Sequence, residues 1–196
     1  MKKILVMIDM QNDFITGPLG NDDCRDAVKG CVDLIRYGGF DTIFFTRDTH
    51  QENYLETLEG QKLPVKHCIE GTDGWQIIPE IQNLMPLPDV KCRIIDKPTF
   101  GSIPDFIFHR NETLPDSIFK WIDANTTRIT DWYEPVEIHF AGVCTSICVL
   151  SNMAICRAYF PNTRIVLHKN ATGDVSEENK QAAFVCAKAI QCEIED

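Results

Sequence analysis

The sequence lacks an apolar run long enough to cross a membrane, and it is poor in basic residues. Lys and Arg number 19 against 29 Asp and Glu, which leaves a net charge of -10. Because nucleic acids and anionic membrane surfaces attract clustered Lys and Arg, we expect neither as a partner. Internal repeats and low-complexity tracts are also absent, so we predict a single domain over residues 1–196.

We do not expect the N-terminal apolar stretch to be a secretory leader. The apolar stretch after Lys3 is broken by Asp9, and no small-residue cleavage site follows it, so we interpret this stretch as the first strand. The nine cysteines are odd in number and lack the compact spacing of a disulfide-stapled secreted protein. We therefore expect reduced thiols, mostly packed in the core, in a cytoplasmic protein.

Short β-branched or apolar runs alternate with segments of helical periodicity. The runs predict strands at 3–8, 42–46, 91–95, 136–141, 164–167 and 192–194. The periodic segments predict helices at 24–37, 115–124, 148–159 and 176–190. This alternation predicts an α/β fold with three layers, αβα, of the Rossmann-like type, around a mostly parallel sheet of about six strands.

Chemically active side chains follow four of these strands, at the sheet edge where α/β proteins bind ligands. They are Asp9, the Asp48 and His50 pair, Lys97, and Cys148 in the turn after the fourth strand. Cys148 falls near a predicted helix start, where free N–H groups favour a thiolate and lower its pKa. Alone, Cys148 and Cys144 are more simply two buried residues on one helix face, but Asp9 and Lys97 nearby favour a catalytic interpretation.

A second cluster is predicted from the Asp48 and His50 pair together with His67, which form a nitrogen and oxygen donor set suited to zinc, iron or manganese. The other histidines are interpreted as packed or surface residues: His109, His139 and His168. The segment 49–74 is long for a loop, which is typical of a lid or a binding loop.

The order of motifs along nearly the whole chain resembles the isochorismatase-like cysteine hydrolases. The motifs are an Asp-x-x-x-Asp-Phe sequence from Asp9 to Phe14, Lys97 after the third strand, and Gly-Val-x-Thr-x-x-Cys-Val ending at Val149. The resemblance implies that Asp9 is the general base, Lys97 its charged neighbour and Cys148 the nucleophile. It also implies a cis peptide at Val143–Cys144 and an oxyanion hole formed by the N–H groups of Cys144 and Cys148. The sequence departs from many relatives at Ser146, where they carry Asp.

Within that superfamily the sequence resembles the nicotinamidase branch, because His67 lies in a Pro-x-x-His-Cys-x-x-Gly-Thr context. The resemblance implies a divalent metal, zinc first and iron or manganese as alternatives, and a homo-oligomer. The implied ligands are Asp48, His50, His67 and Glu59, with Glu56 in reserve. It also implies that Phe14 packs on the substrate. Nicotinamidases often carry a Trp near residues 63–64, and the candidates to replace it here are Tyr54, Trp75 and Phe100.

These features predict a cysteine-dependent amidohydrolase that cleaves a small, nicotinamide-like primary carboxamide to the acid and ammonia through a thioester. One alternative is an isochorismatase-type hydrolase of a vinyl ether, a branch that generally lacks the metal ligands. The other is a catalytically silent binding domain of the same fold, for which a broken set of Asp9, Lys97 and Cys148 would be expected.

Overall fold

The computed structural model describes residues 2–101 and 136–196, and it contains one six-stranded sheet of order β3-β2-β1-β4-β5-β6. Every neighbouring pair of strands is parallel, which confirms the predicted α/β fold. The helix predicted at 115–124, and His109, lie outside the described residues. The strands are β1 Lys2–Ile8, β2 Thr42–Asp48, β3 Lys91–Lys97, β4 Val136–Val143, β5 Arg164–Gly173 and β6 Glu193–Glu195.

Helices of very different lengths connect these strands. They are α1 Asn12–Ile15, α2 Asp22–Tyr37, α3 Leu58–Lys62, α4 Pro79–Gln82, α5 Leu150–Tyr159 and α6 Glu177–Ala189. A π-helical turn, Thr145–Val149, leads directly into α5, and a 3₁₀ turn spans Tyr54–Glu56. Within residues 2–101 and 136–196, no helix has both the length and the apolar character needed to cross a membrane.

The central strands of the sheet are buried on both faces, as the nearly continuous apolar character of β1 predicts. Ile4, Val6 and Ile8 pack into a core formed with α5 and α6. The alternate residues Leu5 and Met7 pack into a second core formed with α1, α2 and α4. Successive side chains of a strand point to opposite faces, so β1 contributes to both cores and the three-layer prediction is confirmed.

The order of the strands reverses between β1 and β4, which creates a crevice at their carboxyl ends. Ile8 pairs with Gly142 at this point. Gly142 has a φ of 110°, and a Cβ atom there would lie 2.0 Å from the carbonyl oxygen of Ile8. Glycine is therefore required for β1 and β4 to approach each other at the reversal.

Four strands run further toward this edge than the sequence predicted, because the prediction ended them at the first polar residue or glycine. β2 continues to Asp48, β3 to Lys97, β4 to Val143 and β5 to Gly173. Asp48 and Lys97 are paired in the β2–β3 register, and their side chains partner each other and neighbouring groups instead of water. The segment 49–74 is also more ordered than a loop, since it contains a 3₁₀ turn and α3.

Candidate active site

Asp9 directly follows β1 and is fully buried. Its φ of 49° lies in the left-handed region, which Asp adopts more readily than most residues. The Thr46 hydroxyl of β2 donates to Asp9 Oδ1 at 2.6 Å and accepts from the Asp9 backbone N–H at 3.2 Å. These two bonds fix the orientation of the carboxylate.

Lys97, the last residue of β3, brings the remaining groups together. Its Nζ lies 2.7 Å from Asp9 Oδ2, 3.6 Å from Asp48 Oδ1 and 3.7 Å from Cys148 Sγ. The residue is only 2% exposed, so these contacts are made in a largely dehydrated environment. The three residues predicted as catalytic are therefore neighbours, although they follow three different strands.

The charges in this group depend on one another. Burial raises the pKa of Asp9, and the nearby ammonium of Lys97 opposes that rise only in part. Burial alone would lower the pKa of Lys97, but the carboxylates of Asp9 and Asp48 outweigh it and the net shift is upward. Lys97 is therefore held as a cation, and Asp9 is a stronger base than an exposed aspartate.

Cys148 occupies the π-helical turn before α5, close to the predicted position, but its thiol differs from the prediction. We predicted a lowered pKa from the helix start, whereas burial raises the pKa of Cys148 and Lys97 compensates only in part. The thiol lies within hydrogen-bonding reach of Asp9. The prediction was wrong because it did not include complete burial, which disfavours the charged thiolate more strongly than Lys97 stabilises it.

Cys144 begins the same turn, and the predicted cis peptide bond between Val143 and Cys144 is present. The carbonyl oxygen of Cys144 accepts from the N–H groups of Ile147 and Val149 at 3.2 and 3.1 Å. The Cys144 side chain is hydrogen-bonded to Cys24 of α2, and this contact and burial raise the pKa of Cys144. Cys144 therefore contributes its backbone to the turn, while its thiol is partnered elsewhere.

The residues predicted to hold a metal also converge. Ligand atoms of Asp48, His50, Glu59 and His67 all lie within 4.8 Å of one another. Asp48 Oδ2 is 3.0 Å from His50 Nε2 and 3.6 Å from His67 Nε2, and Glu59 Oε1 is 3.5 Å from His50 Nε2. Glu59, from α3, completes the cluster, whereas the reserve residue Glu56 is not part of it.

This cluster fits a divalent cation on the chemistry of its donors. The Nδ1 of His67 lies 2.9 Å from the carbonyl oxygen of Val65 and donates to it, so Nε2 presents a lone pair. Asp48 Oδ1 and His50 Nε2 are buried, and neither finds a hydrogen bond of good geometry in the part of the chain that is described. Two imidazoles and two carboxylates match the donors that zinc prefers.

The electrostatics of the cluster reflect its carboxylates. Burial alone would raise the pKa of Asp48, but the neighbouring His50, His67 and Lys97 outweigh it and the net shift is downward. Burial alone would lower the pKa of His50, but Asp48 and Glu59 raise it to about 9. The shift of Asp48 favours its anionic form, which binds a cation, whereas His50 must release its proton before it can act as a ligand.

Two residues that hold this site were not singled out from the sequence. Thr46 orients Asp9, and Gln11 holds Asp48 by accepting from its N–H at 2.7 Å and donating to its carbonyl oxygen at 2.9 Å. Gln11 is fully buried. The available signals were a hydroxyl among the apolar residues of β2 and an amide between β1 and α1, and neither indicates its partner without the fold.

Phe14, in α1, packs its ring edge-on against His67 with centroids 5.4 Å apart. Of the predicted replacements for the missing Trp, Tyr54 is fully buried and donates its hydroxyl to Leu63. Trp75 is covered by the Arg47 guanidinium at 3.5 Å from the ring centroid. Phe100 is 44% exposed.

Comparisons with known proteins find chains similar to this one over most of its length. An uncharacterized isochorismatase-family protein of Bacillus subtilis is 27% identical over 91% of this chain and 90% of its own length. A nicotinamidase of Arabidopsis thaliana is 25% identical over 96% of this chain and 84% of its own. The crystal structure of a Pyrococcus horikoshii pyrazinamidase in complex with zinc superposes with a TM-score of 0.69 at 20% identity, covering 100% and 99% of the two chains.

The family model of the isochorismatase domain matches residues 3–196 of this chain. This match covers the strands and turns that carry Asp9, Lys97 and Cys148, and it confirms the resemblance seen in the motifs. The chain belongs to the isochorismatase family.

Proposed function

We propose that this protein is a cysteine-dependent amidohydrolase, a hydrolase of amide C–N bonds, that converts a small primary carboxamide to the acid and ammonia. The observation that carries the proposal is the placement of Lys97 Nζ within 4 Å of Asp9, Asp48 and Cys148 Sγ. The Lys97 ammonium therefore contacts the proposed base, the proposed nucleophile and one proposed metal ligand. It connects the catalytic residues with the cluster that is proposed to hold the metal.

Cys148 is the proposed nucleophile and Asp9 the proposed general base. Because burial raises the pKa of Cys148, the free protein holds a neutral thiol, and a base must remove its proton as attack begins. Asp9 lies within reach of that thiol and has a raised pKa, so it accepts the proton more readily than an ordinary carboxylate. Sγ then bonds to the carboxamide carbon.

The tetrahedral intermediate carries a negative oxygen, which the backbone N–H groups of Cys144 and Cys148 are proposed to receive. Collapse of this intermediate breaks the C–N bond, and Asp9 returns the proton to the departing ammonia. Asp9 next takes a proton from a water molecule that attacks the thioester. The acid leaves and the Cys148 thiol is restored, so one water is consumed for each ammonia released.

Asp48, His50, Glu59 and His67 are proposed to hold a divalent metal, with zinc as the first choice. When bound, the metal would accept a lone pair from a substrate ring nitrogen and so orient the ring. Lys97 connects this end of the site to the cysteine, because it touches both Asp48 and Cys148.

The proposed substrate is a flat heteroaromatic carboxamide, most simply nicotinamide. A ring nitrogen at the metal end and a carboxamide at the Cys148 end match the two groups that the site offers. Phe14, whose ring contacts His67, is proposed to pack on such a ring, and an aromatic contact of this kind contributes about 1 kcal/mol beyond area burial.

The test is ammonia release from nicotinamide, pyrazinamide, benzamide and an aliphatic amide, with and without added zinc. We expect the ring-nitrogen amides to react faster than benzamide, and metal removal to erase that preference. Cys148→Ala and Asp9→Asn should each lower kcat by roughly 10³-fold or more.

Cys186→Ser is the matched control, since Cys186 is exposed on α6. Full turnover by Cys148→Ala would overturn the nucleophile assignment. Equal rates for benzamide and nicotinamide in the zinc-loaded enzyme would remove the metal-anchored substrate and leave the cysteine chemistry intact.

A further inference from the structure

Asp174 is a buried carboxylate that the chemistry described above does not use. It follows the last residue of β5 and is 1% exposed. Its Oδ2 accepts from the backbone N–H of Ser146 at 2.6 Å, and its Oδ1 accepts from the Ser146 hydroxyl at 3.0 Å. Ser146 lies two residues before Cys148, in the π-helical turn.

The turn needs such a partner from outside. Cys144, at the capping position, makes no side-chain hydrogen bond to the turn's free N–H groups. A charged acceptor at a helix start satisfies a free N–H and interacts favourably with the helix dipole. Asp174, the residue directly after β5, therefore caps this turn, because Cys144 at the capping position provides no side-chain cap.

The position of Asp174 is itself fixed by two helices. Its backbone N–H donates to Asp23 Oδ2 of α2 at 2.8 Å. Asp23 Oδ1 in turn is paired with Lys180 Nζ of α6 at 2.8 Å. The carboxylate that holds the turn is thus attached to both sides of the sheet.

A second connection ties the same strand end to the turn. The Thr145 hydroxyl donates to the carbonyl oxygen of Gly173 at 3.0 Å, and it also contacts the Thr172 hydroxyl at 2.8 Å. Thr145 and Ser146 are therefore both held from the end of β5, and they are the residues between Cys144 and Ile147.

We propose that Asp174 is a positioning residue that aims the backbone N–H groups of Cys144 and Cys148 at the developing oxyanion. The proposal rests on the proposed amidohydrolase function. It explains how this chain maintains the turn with Ser146 in place of an acid: the carboxylate is supplied across space by β5, and the serine provides the N–H and hydroxyl that it binds.

The experiment compares Asp174→Ala and Asp174→Asn in the full-length enzyme loaded with zinc. Asp174→Ala should lower kcat by roughly tenfold or more, approaching the loss seen when an oxyanion donor is removed. KM should stay within about twofold, because Phe14 and the metal ligands lie on other elements. Asp174→Asn keeps an acceptor for the Ser146 N–H and should recover most of kcat.

Hydrogen exchange of the backbone amides of residues 146–149 provides a measurement that does not depend on turnover. Exchange should accelerate by roughly tenfold or more in Asp174→Ala and stay near the native rate in Asp174→Asn. Asp26→Ala, which changes an exposed aspartate of α2, is the control and should change neither kcat nor exchange in the turn.

The proposal is overturned if Asp174→Ala retains native kcat, or if its turn amides exchange at the native rate. It is also overturned if Asp174→Asn loses as much kcat as Asp174→Ala. If the unaltered enzyme hydrolyses none of the amides, the proposed function fails, and the exchange rates alone then support or overturn the placement of the turn by Asp174.

Discussion

At the scale of single residues, Lys97 is the side chain on which most of the site depends. It is buried between the carboxylates of Asp9 and Asp48, and it also contacts Cys148. Exposed ion pairs contribute little to stability, whereas removal of one partner from a buried pair leaves an uncompensated charge. Lys97 is therefore important for folding as well as for the proposed chemistry.

We expect Lys97→Met to lower the free energy of unfolding by about 3 kcal/mol or more, because two buried carboxylates lose their cation. The loss should grow from pH 5 to pH 8. Without Lys97 the pKa of buried Asp9 rises further, so the folded state retains a proton at low pH and must give it up at high pH. Urea unfolding at both pH values measures this effect.

Lys29→Met is the matched control, because Lys29 is a solvent-exposed lysine paired with Asp33 on the surface of α2. It should unfold at nearly the native urea concentration. A Lys97→Met variant that is as stable as the control at pH 8 would contradict the role assigned to the buried cation.

At the scale of elements, the proposed metal joins the end of β2 to the connection that follows it. Asp48 and His50 belong to β2 and the residues just after it, whereas Glu59 lies in α3 and His67 near the end of the connection. A bound cation would therefore hold the segment 49–74 against the sheet. Its removal should loosen that segment before it affects the strands.

We expect added zinc to raise the melting temperature of the chelator-treated protein. A ligand that binds only the folded state stabilises it by about 2.7 kcal/mol at a free concentration 100 times Kd. His67→Gln, which removes one donor, should reduce or abolish the rise. Scanning fluorimetry with and without zinc measures it, and an identical melting temperature for the native protein in both conditions would argue against a metal at this cluster.

At the scale of the whole molecule, a second buried polar cluster makes stability depend on pH. His139 of β4 and His168 of β5 stack with ring centroids 5.2 Å apart, and their nitrogens Nδ1 and Nε2 lie 2.9 Å apart. Glu137 Oε2 contacts His139 Nε2 at 3.3 Å, and Arg164 is paired with Glu137. The sequence left open whether these two histidines are packed or on the surface, and the structure buries both.

Burial lowers the pKa of both histidines below the value expected in the unfolded chain. Their contribution to stability is therefore complete above about pH 6.5 and is lost as the pH falls below it, because the unfolded chain binds protons more readily. We expect the free energy of unfolding to fall from pH 7 to pH 5.5. The fall should be smaller in His168→Gln, in which one of the titrating rings is replaced.

Urea unfolding of both proteins at the two pH values tests this expectation. The exposed-site variant Cys186→Ser should keep the native dependence on pH. If the free energy of unfolding falls by the same amount between the two pH values in His168→Gln and the native protein, the histidine pair is not the source of the pH dependence.

Much of this protein is determined by local features of its sequence. Apolar runs that are buried on both faces predict the strands, and the periodicity of residues 24–37 predicts α2, which the structure begins two residues earlier behind the Asn21 cap. The reactive residues at strand ends predict one shared edge, since parallel strands end together. Motif order identifies the family and the two sets of residues that converge there.

Only the tertiary structure decided the partners and the protonation of the site. Thr46, Gln11 and Asp174 act on residues that are at least 28 positions away along the chain, and no periodicity connects such pairs. The upward shift in the pKa of Cys148 depends on complete burial under neighbouring elements, whereas the sequence shows only the helix start that would lower it. Local pattern therefore determines which elements form, and the approach of distant side chains determines their chemistry, because burial and charge act through space.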